Sequence, residues 1–292
     1  MNIILLGSSG YIGKILLKSL NKKKFEVQGF SSSEIDLTSE NAHKQLISLS
    51  KENTVLVIAT RALGTQDSNE MFKKEIIMGM NISKYLESSK VKKCIYLSTV
   101  SVYDDSITNM NLTEDSKTLP SSLYGKAKLE NENTISQICT KKNIQHVILR
   151  CCKIYGPNDR TFSYGPSMFI QSILMNKDIS IYGDGNEVRD YLYESDLILT
   201  INKFIKEGNS GIYNISSGDP LSFTQIIESL KNYTNSNLNT KIIERTKPKI
   251  DQKIDSGKLR KEFDKILFTS INEGIRNTYD SYKLHLKGNE IE

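Results

Sequence analysis

The first half of the chain alternates short, continuous apolar runs with longer amphipathic segments. A strand that helices cover on both faces is apolar throughout, whereas a surface helix repeats apolar residues every third or fourth position. Strands are therefore predicted for NIILLG, FEVQGF, TVLVIAT, KCIYLST and HVILRCCKIY, and helices for YIGKILLKSLNKK, SENAHKQLISLSKE, NEMFKKEIIMGMNISKYLESSK and SSLYGKAKLENENTISQICTKKN. This strand–helix–strand repetition predicts an α/β fold with a doubly wound parallel sheet.

The pattern changes after Tyr155, where loops and shorter elements follow. The segments SMFIQSILMNKD, FTQIIESLKNYTN, DSGKLRKEF and SINEGIRNTYDSYKLH are typical of helices, and ISIYGDGNEVRDYLY is typical of short strands around a glycine turn. We expect two closely packed regions: a Rossmann-type dinucleotide-binding domain over residues 1–153, and a smaller, mixed α/β substrate-binding region over residues 154–292.

Composition and charge exclude several classes of protein. The chain has 292 residues, a net charge of +5, four cysteines and three histidines. Its lysine runs lie beside acids and lack interleaved aromatics, so we expect no nucleic acid partner. No Cys/His spacing is typical of a metal site, and none is expected. No apolar run is long enough to span a bilayer, and MNIILLG lacks the basic stretch of a signal peptide, which predicts a cytoplasmic protein without a membrane partner.

The segment LLGSSGYIGKILL joins the first predicted strand to the first predicted helix and carries a GxxGxxG spacing. Gly7 would permit the tight turn, Gly10 the approach of a pyrophosphate, and Gly13 the close packing of helix and strand. The amides of the helix N-terminus would face the phosphates. The motif alone also fits a plain glycine-rich turn, but its strand–turn–helix context favours dinucleotide binding.

The end of the second predicted strand bears on the choice of cofactor. In VQGFSSSEIDL, Ser31, Ser32 and the following serine stand where an acid would hold the ribose 2′-OH of NAD, and Glu34 comes late. Small hydroxyl residues can accept a 2′-phosphate, so NADP(H) is slightly favoured over NAD(H). The lack of an arginine here weakens that preference, and a plain serine loop is nearly as compatible. Asp36 could reach the adenine amino group, with Leu37 packed on the ring.

The stretch YGKAK places Tyr124 and Lys128 one helical turn apart on the same face. This spacing is common by chance and also fits an ordinary solvated helix face. The rest of the chain therefore has to decide whether the pair is catalytic.

Several motifs occur together in a fixed order along the chain. GSSGYIG, STVSVY and YGKAK are followed by LRCCKIYGPNDR, IYGDGNEVRDYLYESDL and GIYNISSGDPLS. In this series the chain resembles the extended short-chain dehydrogenase/reductases, specifically the NAD(P)-dependent nucleotide-sugar epimerase/dehydratase group. The resemblance covers nearly the whole chain, ending with DSGKLRKEF and SINEGIRNTY.

The resemblance implies a catalytic set of Thr99, Tyr124 and Lys128. Tyr124 would be the acid/base, although a free phenol has a pKa of roughly 10, too high for a good base at neutral pH. The charges of Lys128 and of the nicotinamide would lower that pKa, and Lys128 would also bind the nicotinamide ribose. Thr99 would hydrogen-bond the reacting oxygen. The cofactor contacts expected from the motifs and the resemblance together are Gly7, Ser9, Gly10, Tyr11, Ile12, Gly13, Ser31, Ser32, Asp36, Leu37, Ala59, Thr60, Tyr124, Lys128 and Ile154.

Departures from the family pattern narrow the reaction. The 4,6-dehydratases carry Asp-Glu directly after the catalytic threonine, where this chain has Val100 and Ser101. Neither residue can act as that acid/base pair, so a 4,6-dehydratase is not expected. A glycine of the family is replaced by Asp104, and an asparagine by Lys153, which could serve a phosphate.

The segment NEVRDYLY matches the family segment whose arginine grips the nucleotide diphosphate, which makes Arg189 the best phosphate ligand. An ion pair with a neighbouring acid is the alternative. Arg61 lies just past a strand end on the cofactor side, where a surface role is the simpler interpretation. The expected substrate contacts are Thr99, Ser101, Tyr124, Lys153, Tyr182, Arg189 and Lys247, of which Lys247 and Tyr182 are the weaker.

We expect oxidoreduction at C4 of a nucleoside-diphosphate sugar, preferably reduction of a 4-keto-deoxysugar. The acid-free second strand and the short chain favour this reaction over the alternative, a 4-epimerase. A non-catalytic NADP-binding regulator would fit the same fold, but the presence of both Tyr124 and Lys128 argues against it. The resemblance also implies a homodimer.

Overall fold

The computed structural model describes residues 1–23, 25–62, 68–162, 165–236, 239–246, 248–264 and 266–289. The strands are β1 Asn2–Leu6, β2 Glu26–Phe30, β3 Thr54–Ile58, β4 Val91–Thr99, β5 Asn109–Leu112, β6 Gln145–Cys151, β7 Lys153–Tyr155, β8 Ile179–Tyr182, β9 Val188–Arg189, β10 Tyr191–Tyr193, β11 Gly211–Ile215, β12 Leu221–Ser222, β13 Thr240–Ile243 and β14 Gln252–Ile254. The helices are α1 Tyr11–Lys22, α2 Ala42–Leu49, α3 Ser68–Ser88, α4 Leu123–Lys141, α5 Gly165–Leu174, α6 Glu194–Lys206, α7 Phe223–Thr234, α8 Gly257–Glu262 and α9 Ile271–Asn289.

A parallel six-stranded sheet with the order β11-β6-β4-β3-β1-β2 forms the centre of the fold. Successive residues of its strands enter two different cores, because side chains alternate across a sheet. Ile3 and Leu5 of β1 pack with α1 and α6, while Ile4 and Leu6 pack with α2, α3 and α4. Helices thus cover both faces, and the predicted Rossmann-type α/β fold is confirmed.

The order of the strands creates a crevice above the sheet. From β1 the chain moves to β2 at one edge and then returns to β3 on the other side of β1. In open α/β sheets, ligands bind outside the carboxyl ends of the strands where the winding direction reverses. The segments that follow β1, β2, β3 and β4 meet at this edge.

The second half of the chain builds a smaller layer and also completes the first. A third core, including Tyr155, Phe169, Ile179 and Leu230, joins α5, α7 and α9 to short strand pairs. Strand β11 pairs with β6 in the main sheet, and α6 packs against α1, where Asn202 Nδ2 lies 3.1 Å from Ser19 Oγ. The boundary after residue 153 stays a prediction, since the second region contributes elements to the first layer.

Some of the strands and helices in the structure differ from those predicted. The run HVILRCCKIY divides at Cys152 into β6 and β7, and β7 leaves the main sheet to pair with β10. Helix α6 and strand β11 were not predicted. Within the residues that the structure describes, no helix combines the length and apolar character needed to cross a membrane.

Candidate active site

The glycine loop between β1 and α1 is held by its neighbours on both sides. Gly7 has φ +86° and donates its N–H to Phe30 O at 2.9 Å. A Cβ at Gly7 would lie 2.5 Å from Ala59 O, and one at Gly13 would lie 1.9 Å from Gly7 O. Only glycine fits these two positions. The first turn of α1 is thereby held close to the ends of β1 and β3, with Gly10 as the residue that precedes the helix.

A cleft of about 1190 Å³ begins at this loop and runs along the carboxyl edge of the sheet. It is large enough for a dinucleotide and a second ligand, and its glycine-lined helix N-terminus suits a pyrophosphate. It brings together most of the predicted contacts, whereas Gly13 packs behind the loop and Tyr182 is exposed outside the cleft. Those that line it are Gly7, Ser9, Gly10, Tyr11, Ile12, Ser31, Ser32, Asp36, Leu37, Ala59, Thr60, Thr99, Ser101, Tyr124, Lys128, Lys153, Ile154 and Arg189.

The turn after β2 contains a carboxylate that the order of residues does not suggest. Glu34 folds back to the end of β2, where its Oε2 accepts hydrogen bonds from Ser31 N at 2.8 Å and Ser31 Oγ at 2.6 Å. These two donors lower the pKa of Glu34. Asp36, one turn on, accepts from the N–H and hydroxyl of Thr38. A negative charge therefore lies beside Ser31, at the strand end that faces the cleft.

Thr99 and Tyr124 reach the cleft from β4 and α4. The buried Thr99 ends β4, and its Oγ1 accepts from Ser101 N at 3.1 Å, which caps the following 3₁₀ turn. Ser122 caps α4 by accepting from Gly125 N at 3.0 Å. A Cβ at Gly125 would lie 2.2 Å from Ser101 O, so the first turn of α4 packs directly on the turn after Thr99. This close packing brings the half-buried Tyr124 into the same part of the cleft as Thr99.

Lys128 lies beneath Tyr124 with its side chain almost completely buried. Its Nζ donates to Thr60 O at 2.9 Å and lies 3.7 Å from Glu75 Oε2 and 5.0 Å from the centre of the Tyr96 ring. Burial by itself lowers the pKa of Lys128, but Tyr96, Glu75 and Tyr124 raise it by more, so the pKa lies above its ordinary value. The ammonium is therefore charged at neutral pH.

A buried ion pair links β6 to α4 and to the end of β4. Arg150 of β6 donates hydrogen bonds to both carboxylate oxygens of Glu132, the shortest of them 2.8 Å. Its guanidinium also lies over the ring of Tyr103, 4.9 Å from the ring centre. Glu132 stands one turn after Lys128 on α4 and also accepts from Ser98, the residue before Thr99. One carboxylate thus ties together the two elements that carry Thr99 and Lys128.

Two cationic side chains, Arg189 and Lys153, also line the cleft. Burial, followed by the charge of Arg189, lowers the pKa of Lys153. Arg189 forms an ion pair with Glu187 and donates to the backbone carbonyls of Val188 and Ile250. Arg189 therefore lines the cleft and also forms the ion pair with a neighbouring acid that was predicted as the alternative.

Comparison with known proteins gives the family. The model of the NAD dependent epimerase/dehydratase family matches residues 3–216. The chain belongs to this family. It is 25% identical to the dTDP-4-dehydro-6-deoxyglucose reductase of Escherichia coli over 256 residues, covering 78% of this chain and 80% of that one.

Solved structures share the fold over nearly the whole chain. The UDP-glucose 4-epimerase of Thermotoga maritima with UDP-glucose superimposes with a TM-score of 0.87 at 22% identity, covering 98% of this chain and 100% of that one. The UDP-glucuronic acid 4-epimerase of Bacillus cereus in complex with NAD gives 0.84 at 23% identity, covering 99% and 98%. At these identities the similarity shows the Rossmann-type fold of the family.

Several residues of this family member's site were not predicted from its sequence. Glu75 and Arg150 contact α4 from other elements, and no local motif marks them. Arg61, for which a surface role was favoured, is exposed but lines the cleft, with its guanidinium 5.2 Å from the centre of the Tyr124 ring. Lys247 lies outside the described residues. In the described part of the chain, no group of His, Cys, Asp and Glu could hold a metal ion.

Proposed function

We propose that the protein reduces a 4-keto group in a nucleoside-diphosphate deoxysugar with a reduced nicotinamide cofactor. The observation that carries this proposal is a single cleft lined by the glycine loop, by Thr99, Tyr124 and Lys128, and by Arg189. Such a cleft has room for a dinucleotide and a sugar nucleotide that meet at the tyrosine.

Each catalytic residue has a role that follows from its position. When bound, the cofactor supplies the hydride for C4. Tyr124 donates its proton to the oxygen on C4, so that the ketone becomes an alcohol. Thr99 donates a hydrogen bond to the same oxygen and orients it. Lys128, fixed by Thr60 O, supplies positive charge beside Tyr124 and would hold the nicotinamide ribose.

The part of the cleft beside Arg189 and Lys153 is assigned to the diphosphate. The planar guanidinium of Arg189 suits two phosphate oxygens, and Lys153 lies close enough for the two cations to repel each other. A diphosphate between them would relieve that repulsion. On this proposal, Arg189 exchanges part of its pairing with Glu187 for the substrate.

The cofactor proposed is NAD(H). The three serines after β2 slightly favoured NADP(H) in the sequence, but the Glu34 carboxylate lies against Ser31 in the fold. A carboxylate there would accept a hydrogen bond from a ribose 2′-OH and repel a 2′-phosphate. Within the described chain, Glu34 forms no ion pair that would neutralise it.

A second candidate is a 4-epimerase, which oxidises C4 and returns the hydride to the opposite face of the sugar. The same Glu34 contact favours it, because an epimerase retains NAD. The acid-free second strand was one of the two reasons for preferring a reductase, and the carboxylate beside Ser31 weakens that reason. Val100 and Ser101 continue to argue against a 4,6-dehydratase.

We also propose that the enzyme is a homodimer. Helices α3 and α4 pack side by side, and α3 leaves Ile77 and Met80 exposed by 40% and 51%. Light scattering of the purified protein would give the mass of a dimer, and a monomer at micromolar concentration would contradict this proposal.

The test of the reaction uses purified protein, NADH or NADPH, and a panel of nucleoside-diphosphate 4-keto sugars and ordinary hexoses. Reduced-nicotinamide absorbance is followed and the sugars are analysed afterwards. Stoichiometric loss of NADH with a keto sugar is expected. Conversion of a hexose to its epimer without net NADH loss would replace the reductase by the epimerase, and cofactor binding without any turnover would favour a regulator.

A further inference from the structure

Glu75 of α3 contacts the catalytic lysine from outside the catalytic helix. Its Oε2 lies 3.7 Å from Lys128 Nζ, and the two side chains are 3% and 2% exposed. Both charges are therefore removed from water. A buried ammonium requires a partner of opposite charge, because its desolvation is otherwise strongly unfavourable.

The rest of the structure holds the Glu75 carboxylate in place. Its Oε1 accepts from Ala62 N at 2.7 Å, in the segment that follows β3. Its backbone carbonyl accepts from Asn131 Nδ2 at 3.1 Å, and Asn131 lies on α4 three residues after Lys128. A Cβ at Gly79 would lie 1.9 Å from Asn131 Oδ1, so α3 and α4 are in close contact here. Glu75 thus has a fixed position relative to the helix that carries Tyr124.

We propose that Glu75 is a positioning residue for the reduction: it holds the Lys128 ammonium charged and directed between Thr60 O and Tyr124. This inference rests on the proposed function, since Lys128 acts there through its charge and its contact with the nicotinamide ribose. Glu75 touches neither substrate nor cofactor and acts only through Lys128.

The groups around Lys128 differ in whether they carry a negative charge near pH 7. Among the residues that the structure describes, the groups that face the ammonium are the phenols of Tyr96 on β4 and Tyr124 on α4, the Cys151 thiol on β6, and the Glu75 carboxylate on α3. Burial raises the pKa of Cys151 to about 12 and that of Tyr96 to about 12, so both are neutral near pH 7. Arg61 lies over the Tyr124 ring and adds positive charge. Within the described part of the chain, Glu75 is accordingly the group that supplies negative charge to Lys128.

The first test is the pH dependence of NADH binding by the Glu75→Gln variant, because the Tyr124 proton that reduction requires would also limit kcat at high pH. Without the carboxylate the pKa of Lys128 falls, so the charged form that would hold the nicotinamide ribose is lost at lower pH. We expect the alkaline limb of NADH affinity to move toward acid by roughly 1–3 pH units. Glu75→Asp, which keeps the charge, should restore much of the wild-type profile. An unchanged alkaline limb in Glu75→Gln would overturn the proposal.

A matched control removes a carboxylate that links the same two helices. Glu87 of α3 pairs with Lys141 of α4 at 2.9 Å, but both side chains are solvent-exposed. Glu87→Gln should leave the pH profile at its wild-type position. If Glu87→Gln moved the alkaline limb as far as Glu75→Gln does, the effect would be a general one of helix charge, and the role of Glu75 would be rejected.

The second test does not depend on turnover. Unfolding is measured for Glu75→Gln, Lys128→Met and the double variant, and NADH affinity is measured for each across the pH range. Removing either partner should lower the melting temperature strongly, and the double variant should lose much less than the two single losses together. Additive losses would contradict the pairing. If no nucleotide sugar is reduced, the proposed function fails, while this cycle still supports or rejects the contact between Glu75 and Lys128.

Discussion

The Nζ atom of Lys128 lies 5.9 Å from the centre of the Tyr124 ring, on the same face of α4. The short segment YGKAK places the two side chains, and the buried contacts of Lys128 with Thr60 and Glu75 fix the ammonium below the phenol. Proton transfer can therefore be tested separately from binding.

Tyr124→Phe should lower kcat for the keto sugar by roughly 10²–10⁴-fold, because the proton donor is removed while the ring remains. The dissociation constant of NADH, measured by calorimetry, should change little. Tyr233→Phe is the control, since Tyr233 is exposed on α7 and bonds Asp280 far from the cleft. A fully active Tyr124→Phe variant would show that the proton comes from another group.

The positions of the proposed catalytic residues were accessible to sequence reasoning because each lies in a short motif. Tyr124 and Lys128 lie four positions apart on one helix, and Thr99 ends an apolar strand, so each position follows from the repeat of its own element. The parallel sheet followed from the same kind of pattern. The fold was thus predicted from short windows of the chain, whereas the catalytic roles rest on the order of the motifs along the whole chain and stay a prediction.

The supporting contacts were not predicted, because each depends on how separate elements pack. Glu75 reaches Lys128 only once α3 lies against α4, and Arg150 reaches Glu132 across the sheet. Glu34 stood three residues beyond the expected acid position, and only the turn after β2 returns its carboxylate to Ser31. Strand β11 entered the main sheet from the second region. No periodicity within one element reports such contacts.

Alanine at Gly13 and alanine at Gly10 should have different effects on the stability of the fold. Gly13→Ala forces a Cβ to within 1.9 Å of Gly7 O, so it should destabilise the fold by about 1–3 kcal/mol or more and weaken NADH binding. A Cβ at Gly10 meets nothing closer than Gly7 O at 3.3 Å. Gly10→Ala should therefore nearly keep the wild-type melting temperature while weakening NADH binding, because Gly10 lines the cleft where the pyrophosphate would lie. Equal losses of stability in both variants would contradict this division.

The Arg150–Glu132 pair should be important for stability as well as for the catalytic geometry. Arg150→Met leaves the buried Glu132 carboxylate unpaired, and the expected loss of unfolding free energy is about 3–5 kcal/mol. Replacing both residues by apolar ones of similar volume should recover much of that loss. Denaturant titration measures all three proteins. Lys141→Met, which breaks an exposed pair on the same helix, should have little effect.

Cofactor choice tests the contact between Ser31 and Glu34. The wild-type protein should bind NADH more tightly than NADPH. Glu34→Gln can still accept a hydrogen bond from Ser31 but carries no charge. It should therefore reduce the ratio of NADH affinity to NADPH affinity several-fold, mainly by improving NADPH binding. Calorimetric titration with both cofactors gives the ratio directly. Tighter binding of NADPH by the wild-type protein would restore the preference that the three serines suggested.

The buried carboxyl of Glu194 predicts a pH dependence of stability. Glu194 begins α6 and accepts hydrogen bonds from Tyr11 Oη at 2.7 Å and Asn158 N at 3.1 Å, which links the glycine loop to the second region. Burial is the largest influence on Glu194 and raises its pKa above the ordinary value of 4.5, despite these donors. The folded state therefore holds this proton more tightly than the unfolded chain does.

The sign of the effect follows from that direction. The stabilisation that protonated Glu194 provides is complete below pH 4.5 and is lost as the pH rises through the higher folded value. Glu194→Gln cannot ionise, so its unfolding free energy relative to wild type should improve as the pH rises from about 4.5 through the raised folded pKa. Urea titrations at several pH values measure the difference. If the difference in unfolding free energy between the two proteins stayed constant across this range, or if the glutamine variant lost stability relative to wild type, burial would not be what sets the pKa of Glu194.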